Sequence, residues 1–197
     1  MKTINNLSKV LLDAGIIFTF FIGLTACNNN KQEDTKEVAE EHNEAKMDNN
    51  AQEKDAQFLV NAAEINLMEI DLGNLAQQKA TMQETKDLGK MMVDEHTKTM
   101  NELKELAARK TITIPTSATE EGQEKMKKLA DKSGHDFDKD YCDAMVDGHK
   151  DAIDKFEKAS NDANDPDIKA WATATLPALR NHLDHAKTCQ EHCKNMK

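Results

Sequence analysis

The chain has 197 residues, of which 31% are charged and 4% are aromatic, and it contains few glycines and prolines. This length accommodates one domain, or one domain with a tail, and the composition is typical of an all-helical protein. The β-favouring run at residues 111–114 is too short and isolated to build a sheet. The formal charge of -10 argues against a nucleic-acid partner, because phosphate binding requires a basic surface.

The N-terminal segment has the pattern of a bacterial export signal. Two lysines precede an apolar run at residues 10–24, which is too short for a bilayer-spanning helix. The run ends in residues 24–27 (LTAC), which resemble the lipobox of bacterial lipoproteins. We therefore predict a signal peptide over residues 1–26 and a lipid anchor at Cys27, which would attach the protein to a membrane of the cell envelope, specifically the outer membrane. The alternative is an ordinary signal peptide with a chance cysteine.

The segment after Cys27 is predicted to be a tether. Residues 28–53 consist mainly of Asn, Gln, Lys, Asp and Glu, and such a segment cannot bury a core. We therefore predict that residues 27–53 are a flexible acidic tether. As a random coil, it would span about 25–30 Å from end to end.

Two long helices are predicted from about Asp55, a candidate N-cap, to residue 110. Their apolar stripes follow heptad spacing, which indicates helices with buried seams. The first stripe contains Phe58, Ala62, Ile65, Glu69, Leu72 and Ala76, and the second contains Leu88, Met92, His96, Thr99, Leu103 and Leu106. The break at residues 79–82 joins them as an antiparallel hairpin. Because Glu69 and His96 are nearly equidistant from this break, they are predicted to lie at nearly the same height.

A crossover with a short helix, capped by Ser117 or Thr119, is predicted at residues 111–134. Two further heptad seams follow it. One contains Cys142, Met145, His149, Ala152, Phe156 and Ala159, and the other contains Ile168, Ala172, Thr175, Leu179, His182, Ala186, Cys189 and Cys193. His149 and His182 are equidistant from the turn at residues 161–166. Residues 54–188 are thus predicted to form a four-helix bundle, and the spacing leaves open whether its second and third long helices run parallel.

Each of the four apolar seams contains, near its middle, one polar residue that could bind a metal: Glu69, His96, His149 and His182. Buried polar groups of this kind can form a hydrogen-bonded layer that only fixes the register of the helices. Alternatively, one carboxylate and three imidazoles on facing helices could bind a transition metal such as zinc, iron or copper. The sequence leaves both hypotheses open.

Three segments resemble a widespread bacterial family of uncharacterised predicted outer-membrane proteins: residues 55–59 (DAQFL), 92–96 (MVDEH) and 175–182 (TLPALRNH). The resemblance covers nearly all of the predicted folded region and implies a ferritin-like four-helix fold. The family has no agreed activity, so the resemblance implies a fold but no specific function. An acid precedes the histidine at Glu95-His96, but Gly148 precedes His149, and neither histidine has a glutamate three residues before it. A ferritin-type diiron centre is therefore not expected.

The C-terminal segment combines thiols and imidazoles. Within three helical turns it contains His182, His185, Cys189, His192 and Cys193, and Cys142 faces it from the preceding helix. In an exported protein a disulfide is favoured, with Cys142–Cys189 the first pairing and Cys142–Cys193 the second. A zinc or copper site, or neither, is the alternative. Residues 189–197 are predicted to be a tail beyond the bundle.

Three functional hypotheses follow from the sequence. The first is a non-catalytic, envelope-anchored binding or interaction module, which requires only the fold and the anchor. The second is a metal-binding lipoprotein for storage, sensing or stress protection that uses the Glu69 and histidine site. The third and weakest is a redox or hydrolytic metalloenzyme, for which the sequence assigns no catalytic residue.

Overall fold

A computed structural model describes residues 34–195, and this part of the chain is all-α, as predicted. Its six helices are α1 (Thr35–Glu44), α2 (Asn50–Lys79), α3 (Gln83–Lys110), α4 (Glu120–Ala130), α5 (Gly134–Asp162) and α6 (Pro166–Asn195). The four long helices form a bundle, within which α2 packs mainly on α3 and α5 mainly on α6. The signal peptide predicted at residues 1–26 and the lipid anchor at Cys27 lie outside the described residues.

Two buried aspartates connect the hairpins and show how the helices run. The Asp138 carboxylate, at the start of α5, accepts hydrogen bonds from the backbone N–H groups of Thr81 and Met82 in the α2–α3 turn, each at 3.1 Å. At the opposite end, the Asp55 carboxylate near the start of α2 accepts hydrogen bonds from the backbone of Asn164 and Asp165 in the α5–α6 turn. Helix α5 is therefore antiparallel to α2 and parallel to α3, and the crossover containing α4 returns the chain along the bundle.

Burial confirms the predicted seams of α5 and α6, in which every residue of both stripes is buried. In α2 four of the six residues of the predicted seam, Ala62, Glu69, Leu72 and Ala76, are buried, and the other two are not. Phe58 and Ile65 are only half-buried, whereas Asn66 and Gly73 are buried. The reason is close packing, because a Cβ on Gly73 would lie 2.6 Å from the backbone oxygen of Gly89 on α3. Small and polar residues thus line this contact.

The second half of the predicted tether is helical, which corrects the prediction of flexibility over residues 34–53. Helix α1 is N-capped by Asp34, and Ala39 and Asn43 on it are buried. The Asn43 side chain donates to the backbone oxygen of Thr113 and accepts from its N–H, both at 2.8 Å. Helix α2 also begins earlier than predicted, with Asn49 and not Asp55 as its N-cap. These contacts depend on one alanine and side-chain hydrogen bonds, which mean hydropathy does not detect.

The described residues show no boundary between the bundle and a tail at residue 189, in agreement with the predicted α6 seam, which runs through Cys189 and Cys193. Helix α6 continues to Asn195 with Cys189 and Cys193 buried, so residues 189–195 extend the bundle and are not a tail. The apolar seam continues through both cysteines, so the end of α6 packs on the core of the bundle. Within residues 34–195, no helix combines the length and apolarity needed to cross a bilayer.

Candidate metal centre

Three histidines converge in the middle of the bundle. His96 lies on α3, His149 on α5 and His182 on α6, and each is no more than 2% exposed. Their ring centroids are 5.1–5.6 Å apart, and one nitrogen of each ring lies within 4.8 Å of one nitrogen of the other two. The heptad spacing placed these side chains on facing seams, and the structure brings them within reach of a common ion.

The hydrogen bonds of Asn66 determine which nitrogen of His96 is protonated. The Asn66 amide Nδ2 donates to the carbonyl oxygen of Ala62 at 2.7 Å, which fixes the orientation of the amide. Its Oδ1 lies 3.0 Å from Nδ1 of His96 and therefore accepts a hydrogen bond from that nitrogen. In the neutral imidazole Nε2 then has a lone pair. This Nε2 is buried and has no hydrogen-bond partner among the described residues.

The other two histidines are oriented in the same way. Nδ1 of His149 donates to the carbonyl oxygen of Met145 at 2.8 Å, so the lone pair of the neutral ring is on Nε2. Nε2 of His182 lies 2.8 Å from the Glu95 carboxylate and donates to it, so the lone pair is on Nδ1. An acceptor that holds the outer N–H of an imidazole in this way is typical of histidines that bind metals.

As a result, two nitrogen lone pairs face each other. His149 Nε2 and His182 Nδ1 are 3.3 Å apart, and neither nitrogen has a hydrogen to donate in the tautomers that their outer partners select. Such a contact is repulsive unless a cation lies between the two nitrogens. Two nitrogens bound to one tetrahedral metal at about 2.0–2.1 Å lie about 3.3–3.4 Å apart. The observed separation therefore matches one edge of a metal coordination tetrahedron.

Burial keeps the three rings neutral. It lowers the pKa of His96 well below its usual value, with the neighbouring histidines as the second cause. It lowers the pKa of His149 to about 4, and it also lowers the pKa of His182, although Glu95 opposes that shift. Neutral imidazoles have their lone pairs available at pH 7, so a metal does not have to displace a proton from them.

Glu69 does not join the three imidazole nitrogens, although the sequence grouped it with them. Its Oε1 lies 3.9 Å from Nδ1 of His149, which is the nitrogen that faces away from the other two rings. Burial raises the pKa of Glu69 to about 8, so the carboxyl is neutral at pH 7. A neutral carboxyl group on the outer side of His149 is a poor metal ligand. Glu69 therefore lies next to the three-histidine site and is not one of its ligands.

A surface cleft of about 740 Å³ reaches the bundle interior beside Glu69. Helices α2, α4 and α5 form most of its lining, which includes Glu69 and Gly148. A Cβ at position 148 would lie 3.2 Å from Glu69 Oε1, so the absence of a side chain there leaves room for the carboxyl. Glu69 therefore separates this cleft from His149.

Comparison with known proteins places the chain in a family. Residues 37–189 match the family described as a domain of unknown function, DUF4142. The chain belongs to the DUF4142 family. No curated protein and no solved structure matches it. The match begins within α1 and ends within α6, so the DUF4142 domain includes the helix that was predicted to be part of the tether.

The DUF4142 domain also contains a buried sulfur cluster at the end of the bundle where α5 begins. Cys142 and Cys189 form a disulfide, the first of the pairings that the sequence suggested, and Cys193 is a free, buried thiol. The Sγ atom of each cysteine lies within 4.8 Å of the other two. His185 and His192 are exposed and do not join this cluster, because positions 185 and 192 fall on the solvent face of α6.

Sequence reasoning missed two residues that orient the histidines. Asn66 lies three residues before Glu69, and its burial in the α2 seam was a detectable signal, because a seam through Leu59, Asn66 and Gly73 also follows heptad spacing. Glu95 was noted only as the acid that precedes His96, and that pattern does not indicate a contact with His182. Its side chain is 46% exposed and reaches His182 from the flank of α3, which periodicity does not predict.

Proposed function

We propose that this DUF4142 protein is an envelope-anchored metal-binding bundle that holds one divalent transition-metal ion, zinc or copper, between His96, His149 and His182. The observation that carries the proposal is the 3.3 Å contact between two imidazole nitrogens whose outer hydrogen bonds leave both of them with lone pairs. From the sequence alone, the non-catalytic interaction module ranked first. The convergence of three lone pairs now favours the metal-binding alternative.

The donor set supports zinc or copper over iron. Imidazole suits zinc, copper, iron and nickel, but iron sites in helical bundles use several carboxylates. No carboxylate belongs to the three-nitrogen group in the described part of the chain. Three protein ligands also leave a position of the tetrahedron for water or an exchangeable ligand. Such a site suits an ion that is taken up and released, as storage, sensing or stress protection would require.

The fold and the location are parts of the same proposal. Parallel α3 and α5 joined by one long crossover are the arrangement of ferritin-like bundles, which supports the ferritin-like assignment. The lipobox-like residues before Cys27 support an anchor in the outer membrane. Such an anchor would hold the metal site close to the membrane in an exported, oxidising compartment.

Metal titration of the mature chain tests the proposal. The protein is purified without a polyhistidine tag, stripped with a chelator and titrated with zinc, and binding is followed by calorimetry and elemental analysis. We expect one equivalent to bind. At a zinc concentration about 100 times the dissociation constant, binding would stabilise the fold by about 3 kcal/mol and raise the melting temperature by roughly 5–10 °C.

Two histidines on α6 provide a matched pair of variants. His182→Gln removes a buried ligand, and we expect it to weaken zinc binding by at least about 100-fold, because even outer-shell changes cost about 10–100-fold. His185→Gln alters an exposed histidine three residues away and leaves binding unchanged. The metal proposal is wrong if the unmutated protein retains less than about a tenth of an equivalent of zinc and copper and its melting temperature does not respond. The interaction module then remains.

A further inference from the structure

The sulfur cluster at the start of α5 is a second group of possible metal ligands, separate from the three histidines. Cys142, Cys189 and Cys193 are each at most 2% exposed, and the Cys193 thiol lies 3.3 Å from the Met82 Sδ. Four sulfur atoms, from α5, α6 and the α2–α3 turn, therefore share one buried space. This grouping is independent of the three-histidine centre and does not require it to bind metal.

One separation between two cysteine sulfurs is that of metal ligands. Cys193 Sγ lies 3.9 Å from Cys142 Sγ. Two sulfurs bound to one ion at about 2.3 Å are about 3.8 Å apart in a tetrahedral site and about 4.0 Å apart in a trigonal one. The Thr85 side chain in the first turn of α3 contacts the same group, with its hydroxyl 3.5 Å from Cys189 Sγ.

We propose that the sulfur cluster is a redox-gated Cu(I) site, in which the thiolates of Cys142, Cys189 and Cys193 and the thioether of Met82 bind one ion after the Cys142–Cys189 disulfide is reduced. Thiolate and thioether are soft ligands, and a neutral thioether favours Cu(I) in particular. The disulfide form offers only the Cys193 thiol and the Met82 thioether as donors, so the oxidised protein lacks the full site.

The redox step is an ordinary exchange with an external dithiol. One dithiol sulfur attacks a sulfur of the Cys142–Cys189 bond and releases the other cysteine as a thiol. The second dithiol sulfur then attacks the resulting mixed disulfide and releases the second cysteine. The protein gains two electrons and two protons and becomes a dithiol, and the reductant becomes a disulfide. Cu(I) then binds the three cysteine sulfurs and Met82 as the thiol protons leave to water. Reoxidation of the pair reverses these steps and expels the ion.

The experiment uses the full mature chain with Cys27→Ser, so that Cys142, Cys189 and Cys193 are its only cysteines. Oxidised and phosphine-reduced samples are titrated anaerobically with Cu(I) as its acetonitrile complex, in competition with a colorimetric Cu(I) chelator. We expect one equivalent to bind to the reduced protein with a thiolate-to-copper charge-transfer absorption, which imidazole ligands do not give. The oxidised protein should bind at least about 100-fold more weakly at this site.

Variants assign the ligands. We expect Cys193→Ser to abolish the charge-transfer band, and Met82→Leu to weaken binding by about 10-fold. Met92→Leu is the matched control, because Met92 is a buried methionine of the same core cluster. His182→Gln should leave the charge-transfer band unchanged, so that failure of the histidine proposal and failure of this one are distinguishable.

A second measurement does not depend on the folding of a variant. The reduced protein without bundle substitutions is alkylated in the presence and absence of Cu(I), and peptide mass spectrometry measures the extent of alkylation of each cysteine. We expect the ion to protect all three bundle cysteines. The proposal is overturned if the reduced protein shows no charge-transfer band, if zinc binds there but Cu(I) does not, or if Cys193 stays as reactive with Cu(I) as without it.

Discussion

The buried carboxyl of Glu69 makes the stability of the metal-free protein depend on pH, and replacing it by glutamine tests this. Glu69 is 5% exposed, and one of its oxygens has no partner among the described residues. Burial raises its pKa from 4.5 to about 8. In the unfolded chain the group loses its proton near pH 4.5, whereas in the folded chain it keeps the proton until about pH 8. Stability is therefore present below pH 4.5 and is lost as the pH rises to about 8.

The size of the effect follows from the shift. A pKa raised from 4.5 to about 8 corresponds to a loss of at most about 5 kcal/mol between those two values. Glutamine has nearly the same shape and does not titrate, so Glu69→Gln removes this loss. We expect the variant to be more stable than the unmutated protein by several kcal/mol more at about pH 8.5 than at about pH 5.

Urea unfolding followed by circular dichroism at both pH values measures this difference. The buried histidines produce the opposite slope, because the lowered pKa of His149, about 4, makes stability fall as the pH drops from about 6.5. That contribution is common to both proteins and cancels in the difference between them. Glu124→Gln, on the exposed face of α4, is the control and should show no such change. An equal stability difference at the two pH values would refute the assignment of a buried neutral acid at Glu69.

Three further predictions concern packing, capping and the disulfide. Gly73→Ala forces α2 and α3 apart and should cost about 1–3 kcal/mol in unfolding experiments. Gly122→Ala meets the flexible end of the Met68 side chain and, at 3.4 Å, the Thr119 hydroxyl, and should be nearly neutral. Asp138→Asn weakens the acceptor for the N–H groups of the α2–α3 turn and should cost about 2–3 kcal/mol in the same assay. The Cys142–Cys189 bond closes a sequence separation of 47 residues, so reducing it should lower the free energy of unfolding by about 4 kcal/mol, measured with and without reductant. A change below about 0.5 kcal/mol in any of the three destabilising cases would contradict its reasoning.

Long, uninterrupted heptads made most of the fold predictable. The seams of α5 and α6 keep strict spacing, and their burial was confirmed residue by residue. Periodicity failed where burial did not follow hydrophobicity. In α2 four of the six predicted seam residues are buried, but Phe58 and Ile65 are not, because α2 approaches α3 most closely at Gly73 and faces it with Asn66, which contacts His96. Helix α1 was missed for a similar reason, since polar side chains attach it to the crossover.

The candidate site was predictable in position but not in chemistry. Equal distances from the turns placed His149 and His182 at one height, and the structure brings them to 3.3 Å. The same counting placed Glu69 with them, but height on a helix does not specify on which side of a ring a carboxyl lies. Nor does it show the tautomer of each ring. That is decided by Asn66 and Glu95, whose contacts with the rings exist only in three dimensions.

The residue that precedes the histidine is an acid on α3 and a glycine on α5, and the packing around Gly148 explains the difference. On α3 the residue before the histidine is Glu95, which reaches across to His182 on α6. On α5 the corresponding residue is Gly148, and a side chain there would approach the Glu69 carboxyl from α2, with a Cβ at 3.2 Å. Position 148 therefore has no acidic side chain, and the carboxyl beside His149 comes from Glu69 on α2, in the other hairpin. Because burial keeps the three imidazoles neutral, a divalent cation entering the proposed site would meet three unprotonated nitrogens, and the Glu95 carboxylate would lie behind one of them.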